Sequence, residues 1–268
     1  MSEATRHDAW QAGESYDAYM GRWSREIAPR FLEWFRAPAD LDWLEVGCGT
    51  GALSGAIMSS AAPRRLVAID PSEGFIVTAR RNVPDDRASF RVGDAQALDL
   101  ESASRDVVVS GLVLNFIPDR ARALAEMRRV ARPGARIGLY VWDYPGGGME
   151  MMRRFWTAAA ALDPGTADLT EDKRFPFCTP EGLTDMVRGA GFDAVESTAI
   201  EVATVFRDFE DYWQPFTLGA GPAPGYCAKL TPERRGRLRD ELERSLPRAE
   251  DGSVPLRARA WAVRARAA

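Results

Sequence analysis

A chain of 268 residues, 46% of them hydrophobic, is long enough to bury one sizeable core, and the whole of 1–268 suits one α/β domain with a cap better than two equal domains. A net charge of −4 leaves no overall basic footprint for nucleic acid, and no apolar run approaches the ~18 residues of a membrane span. Cys48, Cys178 and Cys227 are widely spaced, without a Cys-x-x-Cys pair, and residues 1–10 are polar, so the expectations are reduced thiols, no metal and a cytoplasmic location.

Residues 22–35 set Ile27, Phe31, Trp34 and Phe35 on one face of an amphipathic helix that ends before Pro38. Residues 1–38 therefore read as a helical N-terminal cap. A core over 39–145 follows, alternating strands and helices. Strands are expected over 43–46, 66–70 and 89–92, with helices from Gly51 to about Ser60 and from Pro71-Ser72 to Arg81. The β-branched run Val107-Val108-Val109 suits a strand buried on both faces. Pro118 suits the first position of a helix with Ala121, Leu124, Met127 and Val130 on one side, closed by Arg132-Pro133-Gly134 before a strand over 137–142. Such alternation implies right-handed crossovers and a parallel sheet.

Beyond this core, residues 146–178 hold an apolar helix around Met151, Phe155, Trp156 and Ala160. Thr179 and Thr231 each precede Pro-Glu, which marks two helix starts. Gly191 suits the end of the first of these helices. Strands over 195–205 and 256–266 complete the pattern, separated by a second insertion, 207–255. Arginines of the last strand read as a solvated edge. Ligands of α/β sheets bind at the carboxyl ends of strands, so the two insertions are expected to form a lid on the acceptor side.

Chemistry concentrates in Leu44-Glu45-Val46-Gly47-Cys48-Gly49-Thr50-Gly51. Gly47, Gly49 and Gly51 allow a tight turn in which the backbone approaches a ligand closely. Glu45 repels a phosphate but attracts a cationic amino group. Asp70, at the end of the second strand, is placed to accept both hydroxyls of a ribose. Asp94, in Gly93-Asp94-Ala95 after the third strand, is placed to accept an adenine amine, with the Ala95 N–H facing a ring nitrogen. The same glycines also fit the dinucleotide pattern G-x-G-x-x-A. Glu45, the third acid and the absence of a Tyr-x-x-x-Lys pair weigh against that alternative, an NAD(P)-dependent oxidoreductase.

These motifs closely resemble the class I S-adenosylmethionine-dependent methyltransferases, in particular the small-molecule branch of the ubiquinone/menaquinone-biosynthesis type. The resemblance covers about residues 14–145, with a weaker echo to the C-terminus. It implies a doubly wound, Rossmann-like, seven-stranded sheet in the order 3-2-1-4-5-7-6 with the last strand antiparallel. It implies S-adenosyl-L-methionine as cofactor and methyl transfer to an O, N or C nucleophile of a small organic acceptor. The cofactor contacts expected are Glu45, Gly47, Cys48, Gly49, Gly51, Asp70, Pro71, Asp94 and Ala95. To these the family adds the Gly111 and Leu112 backbone, and Phe116 either touches the nucleoside or closes the pocket. Tyr16-x-x-Tyr19-Met20-Gly21-Arg22 resembles a flap of this branch, in which Tyr16, Tyr19 and Arg22 join the site. Arg22 either pairs with the methionine carboxylate or sits at the surface.

For the acceptor, Asn115, Trp142, Tyr144, Phe155, Trp213 and Tyr226 are candidates beside the simpler reading of aromatic packing. Asp143 is the one tempting base, with a solvated loop acid as its alternative. His7 is the sole histidine and no catalytic dyad can be assembled from it, so no catalytic residue is assigned. A non-catalytic cofactor-binding regulator is a further alternative. The Asn-Pro-Pro-Tyr type motif of DNA amino-methylation is absent, Asn115-Phe116-Ile117-Pro118 standing in its place.

Overall fold

The computed structural model describes residues 17–219 and 221–268; Tyr16 and His7 lie outside them. Seven strands form one sheet: β1 (Asp42–Val46), β2 (Arg65–Asp70), β3 (Ala88–Val92), β4 (Arg105–Gly111), β5 (Ala131–Trp142), β6 (Phe192–Phe206) and β7 (Val254–Ala267). Their order is β3-β2-β1-β4-β5-β7-β6. The pairings from β3 through β5 are parallel, and β7 runs antiparallel to both β5 and β6. The expected sheet order therefore holds.

Ten α-helices surround the sheet among the described residues: α1 (Arg22–Phe35), α2 (Ala52–Ser60), α3 (Glu73–Asn82), α4 (Arg120–Val130), α5 (Glu150–Leu162), α6 (Glu171–Arg174), α7 (Pro180–Gly189), α8 (Phe209–Trp213), α9 (Pro222–Lys229) and α10 (Pro232–Ser245). A π-helical turn, Asp17–Gly21, leads into α1. The buried face of α1 carries the expected Ile27, Phe31 and Phe35. Phe31 stacks on Phe35 at 5.3 Å, and both close on Gly138 of β5, where a Cβ would come within 2.7 Å of either ring. Glycine there lets an aromatic helix face lie flat on the sheet. Val107, Val108 and Val109 are fully buried at the centre of β4.

Local chemistry displaces three expectations. Pro118 precedes the helix rather than opening it, because Asp119 is the N-cap and accepts from the Arg122 N–H at 3.0 Å. That start leaves Ala121 exposed and puts Ala123 on the buried face beside Leu124, Met127 and Val130. β5 begins at Ala131, paired with Arg105, and the register then jumps to Arg136 opposite Val107, so Arg132-Pro133-Gly134-Ala135 bulges out of a strand already begun. β7 is interior rather than an edge. Its arginines are held by neighbours: Arg264 pairs with Glu196 at 2.6 Å and Arg266 donates to the Gly134 carbonyl at 3.0 Å.

The two insertions pack on each other and on the N-terminal turn. The Tyr212 hydroxyl donates to the Met151 carbonyl at 3.0 Å, Phe155 stacks on Phe216 at 4.4 Å, and Tyr19 meets Phe216 edge-on at 5.5 Å.

Candidate cofactor cleft and acceptor chamber

The glycine turn connects β1 to α2. Gly47, Gly49 and Gly51 all have positive φ, at 76°, 52° and 91°, which only glycine adopts without strain. The turn spends its N–H groups inside the protein. Those of Gly47 and Cys48 both donate to the Ile69 carbonyl at 2.8 and 2.9 Å, that of Gly51 to the Cys48 carbonyl at 2.9 Å, and that of Gly49 to Asp70 Oδ2 at 3.0 Å. Four of its five residues therefore present no free donor to a pyrophosphate.

Acids take the donors' place. Glu45 is 1% exposed and accepts from the Ser54 hydroxyl. Burial, with Asp70 nearby, pushes its carboxyl up to about 8. Asp70 is raised by burial too, a shift opposed by the Ser72 and Gly49 N–H groups donating to its two oxygens. Asp94 accepts from the Gln96 N–H at 2.8 Å, and Gln96 in turn accepts from the Asp119 N–H at 3.0 Å. This bridge fixes the loop after β3 to the start of α4.

A cleft of about 450 Å³ runs over these strand ends, lined by Gly47, Asp70, Pro71, Asp94, Ala95 and Phe116 among the expected residues. Sequence reasoning missed Ser72, Phe75, Gln96, Val113, Ile117 and Pro118 on its walls. It continues into a recess of about 70 Å³ lined by Glu45, Cys48, Gly49, Gly111 and Leu112. Glycine is required at 111, since a Cβ would collide with the Tyr140 hydroxyl. Leu112 is held at φ 62°, an uncommon state for leucine that concentrates at functional sites. Gly51 lines neither cavity and serves the turn.

Of the described flap residues, Tyr19 is buried in the aromatic cluster and its neighbour Met20 lines a cavity. Arg22 is directed at Asp211, with Nη1 at 3.0 and 3.1 Å from the two carboxylate oxygens, and lies over the Trp23 and Phe206 rings.

Acceptor candidates divide. Trp142 and Tyr144 line a small chamber of about 20 Å³ beyond Leu112 and Phe116. Phe155 and Trp213 line none of these cavities and pack in the aromatic cluster, and Tyr226 faces a separate recess of about 40 Å³ near Arg234. Asn115 is buried beside the cleft without lining it, and among the described residues no partner meets its Nδ2. Asp143 is 1% exposed, with Arg259 Nε at 2.7 Å and the Gly146 N–H at 2.8 Å. It ties the 143–148 loop to β7, and the solvated-acid reading and the base reading both give way. Met152, Glu171, Arg174 and Phe175 complete the chamber; they come from the insertion, where no spacing rule marked them. Among the described residues no His/Cys/Asp/Glu group could hold a metal, and no helix is long and apolar enough to cross a membrane.

This sheet order, with a glycine turn after β1 and acids at successive strand tips, defines the class I methyltransferase architecture. Residues 44–139 match a family model described as a methyltransferase domain, and that part of the chain carries the cofactor-side strands of this architecture. The chain is similar to the ubiquinone/menaquinone biosynthesis C-methyltransferase UbiE of Dinoroseobacter shibae, 26% identical over 196 residues, 67% of this chain and 77% of that protein. It is also similar to the nocamycin O-methyltransferase of Saccharothrix syringae, 26% identical over 250 residues and 86% of each chain. Other curated relatives are 32%, 38% and 32% identical, and the chain spans 45%, 46% and 61% of their length. Among solved structures, the Haemonchus contortus phosphoethanolamine N-methyltransferase 2 complex with S-adenosylhomocysteine shares the fold. Its TM-score is 0.55 at 15% identity, covering 95% of this chain and 56% of that one.

Proposed function

We propose that the protein transfers a methyl group from S-adenosylmethionine to a small organic acceptor. One observation carries this reading: the glycine turn uses its own N–H groups while Glu45 and Asp70 converge beside it. That donor-poor, acid-rich cradle suits an amino acid joined to a nucleoside and opposes a diphosphate. It also weighs against the nicotinamide alternative. When bound, the cofactor supplies a methyl on a sulfonium, open to in-line displacement.

The chain's own residues would do the rest. Glu45 holds the amino group, Asp70 the ribose hydroxyls, and Asp94 with the Ala95 N–H the adenine. The Gly111 and Leu112 backbone closes the methionine end. Phe116, Trp142, Tyr144 and Phe175 exclude water, and the insertions 146–178 and 207–255 form the lid. Excluding water and fixing the approach line are the main levers open to the protein in such a displacement. Relatives named for quinone biosynthesis and for nocamycin support a small-molecule acceptor rather than nucleic acid. Three buried free cysteines suit a reducing, cytoplasmic setting.

Calorimetry with S-adenosylhomocysteine tests the reading. One site per chain is expected, and Asp70→Ala should weaken it roughly 100-fold, since hydrogen bonds to a charged acceptor contribute ~1.5–3 kcal/mol each. Unchanged affinity in Asp70→Ala, or NADH binding at the same site, would overturn it.

A further inference from the structure

The inner chamber holds a carboxylate that cofactor binding does not use. Glu171 of α6 is the only acid lining the chamber among the described residues, and it is 4% exposed. Its Oε2 accepts from the Trp156 indole N–H at 2.6 Å, which fixes its direction from α5. Outside the chamber, a groove of about 360 Å³ runs along α5. Tyr144, Met152 and Glu171 line both spaces, so the carboxylate stands at their junction. Burying an acid against apolar walls is costly, and this one sits where an acceptor entering along the groove would meet the cofactor end of the chamber. Asp143 cannot serve, being bound by Arg259, and Glu45 and Asp70 lie on the cofactor side.

Resting on the methyl-transfer reading, we propose that Glu171 is the catalytic base of this enzyme, and that its acceptor is a hydroxyl on an otherwise apolar ring system. A neutral amine attacks with its own lone pair, whereas a hydroxyl gains most from losing its proton as it attacks. The walls agree: Phe175 packs against Phe116 and Tyr144, each at 5.7 Å, with Met20 and Met152 as the adaptable side chains that yield to a ring. Arg174 lines the chamber too and would favour a developing phenolate or enolate. In the step, the acceptor O–H bond breaks and its proton passes to Glu171 while the O–C bond forms. The S–C bond breaks with its electron pair left on sulfur.

The test uses 1-naphthol as probe and 1-methoxynaphthalene as its capped control, both titrated by calorimetry into the full chain saturated with S-adenosylhomocysteine. 1-Naphthol should bind at least tenfold more tightly than the control, and Glu171→Leu should abolish that preference. Glu171→Gln should keep the affinity for S-adenosylhomocysteine within threefold, which also reports that it folds. With labelled cofactor, any methyl transfer to 1-naphthol should fall 10²–10⁴-fold in Glu171→Gln. Equal binding of the two probes, no binding of either, or transfer unaffected by Glu171→Gln overturns the proposal. Failure of the wild-type chain to bind S-adenosylhomocysteine instead overturns the methyl-transfer reading beneath it.

Discussion

Glu45 sits at the end of a fully buried strand with its carboxyl pushed from 4.5 to about 8. In the ligand-free protein it is therefore mostly protonated at pH 6.5. A cationic amino group placed beside it favours the ionised form and pulls that value down, so cofactor binding should release close to one proton at pH 6.5. Affinity should rise with pH towards 8, and fall only at higher pH as the ligand's α-amino group, which its adjacent carboxylate holds above the range of a peptide α-amino group, loses its own charge. Calorimetry of S-adenosylhomocysteine in phosphate and in Tris, whose ionisation heats differ, reads the proton directly. Glu45→Gln should bind more weakly, with the release gone. The sign for folding is opposite to that of an ion-paired acid: a raised carboxyl leaves stability intact below about 4.5, and loses it progressively as pH climbs through 8.

At the scale of elements, the caps act as the sequence implies. Thr179 accepts from the Gly182 N–H at 3.0 Å ahead of α7, and Thr179→Ala should cost about 1 kcal/mol in urea unfolding with an unchanged m value. Hydrophobic runs and caps made the strands and most helices legible because each signal is local. The start of β5 was hidden because its bulge holds the Pro-Gly chemistry that normally ends elements, and Asp119 capped α4 where Pro118 alone pointed. The grouping of Glu45, Asp70 and Asp94 at the cleft was legible for the same reason: a parallel sheet delivers every strand tip to one edge, so position along the chain gives position in space. Glu171, Arg174 and Phe175 reach the chamber only because α5 and α6 fold back over it, and Trp156 aims Glu171 across 15 residues. Nothing in their spacing records that. Phe155 and Trp213 mislead in the opposite sense, since their aromatic surface is consumed in joining the two insertions.

Across the whole molecule, those insertions must be tied to the sheet if the chamber is to keep its shape, and Asp143 with Arg259 supplies one such tie. The Asp143 N–H donates to the Arg259 carbonyl at 2.9 Å and the Arg259 N–H to the Gly148 carbonyl at 3.0 Å. The side chains then close the loop through Nε and Oδ2 at 2.7 Å. Gly146 and Gly148 pack closely on Asp143: a Cβ at 148 would lie 2.7 Å from its Oδ2. Arg259→Ala should therefore leave a charge stranded at 1% exposure and cost about 3–5 kcal/mol by denaturant unfolding. The pair Asp143→Leu with Arg259→Leu should recover part of that loss, because it strands no charge. The Asp70 and Asp94 end of the cleft is built by β2, β3 and the loop after β3, away from this tie, so affinity for S-adenosylhomocysteine should change little in Arg259→Ala. The acceptor side, fed by α5 directly after the loop, should loosen. Binding of 1-naphthol to the S-adenosylhomocysteine complex of Arg259→Ala separates the two: a loss confined to the naphthol places the tie on the acceptor wall, and an equal loss of both ligands would show that it braces the sheet as a whole.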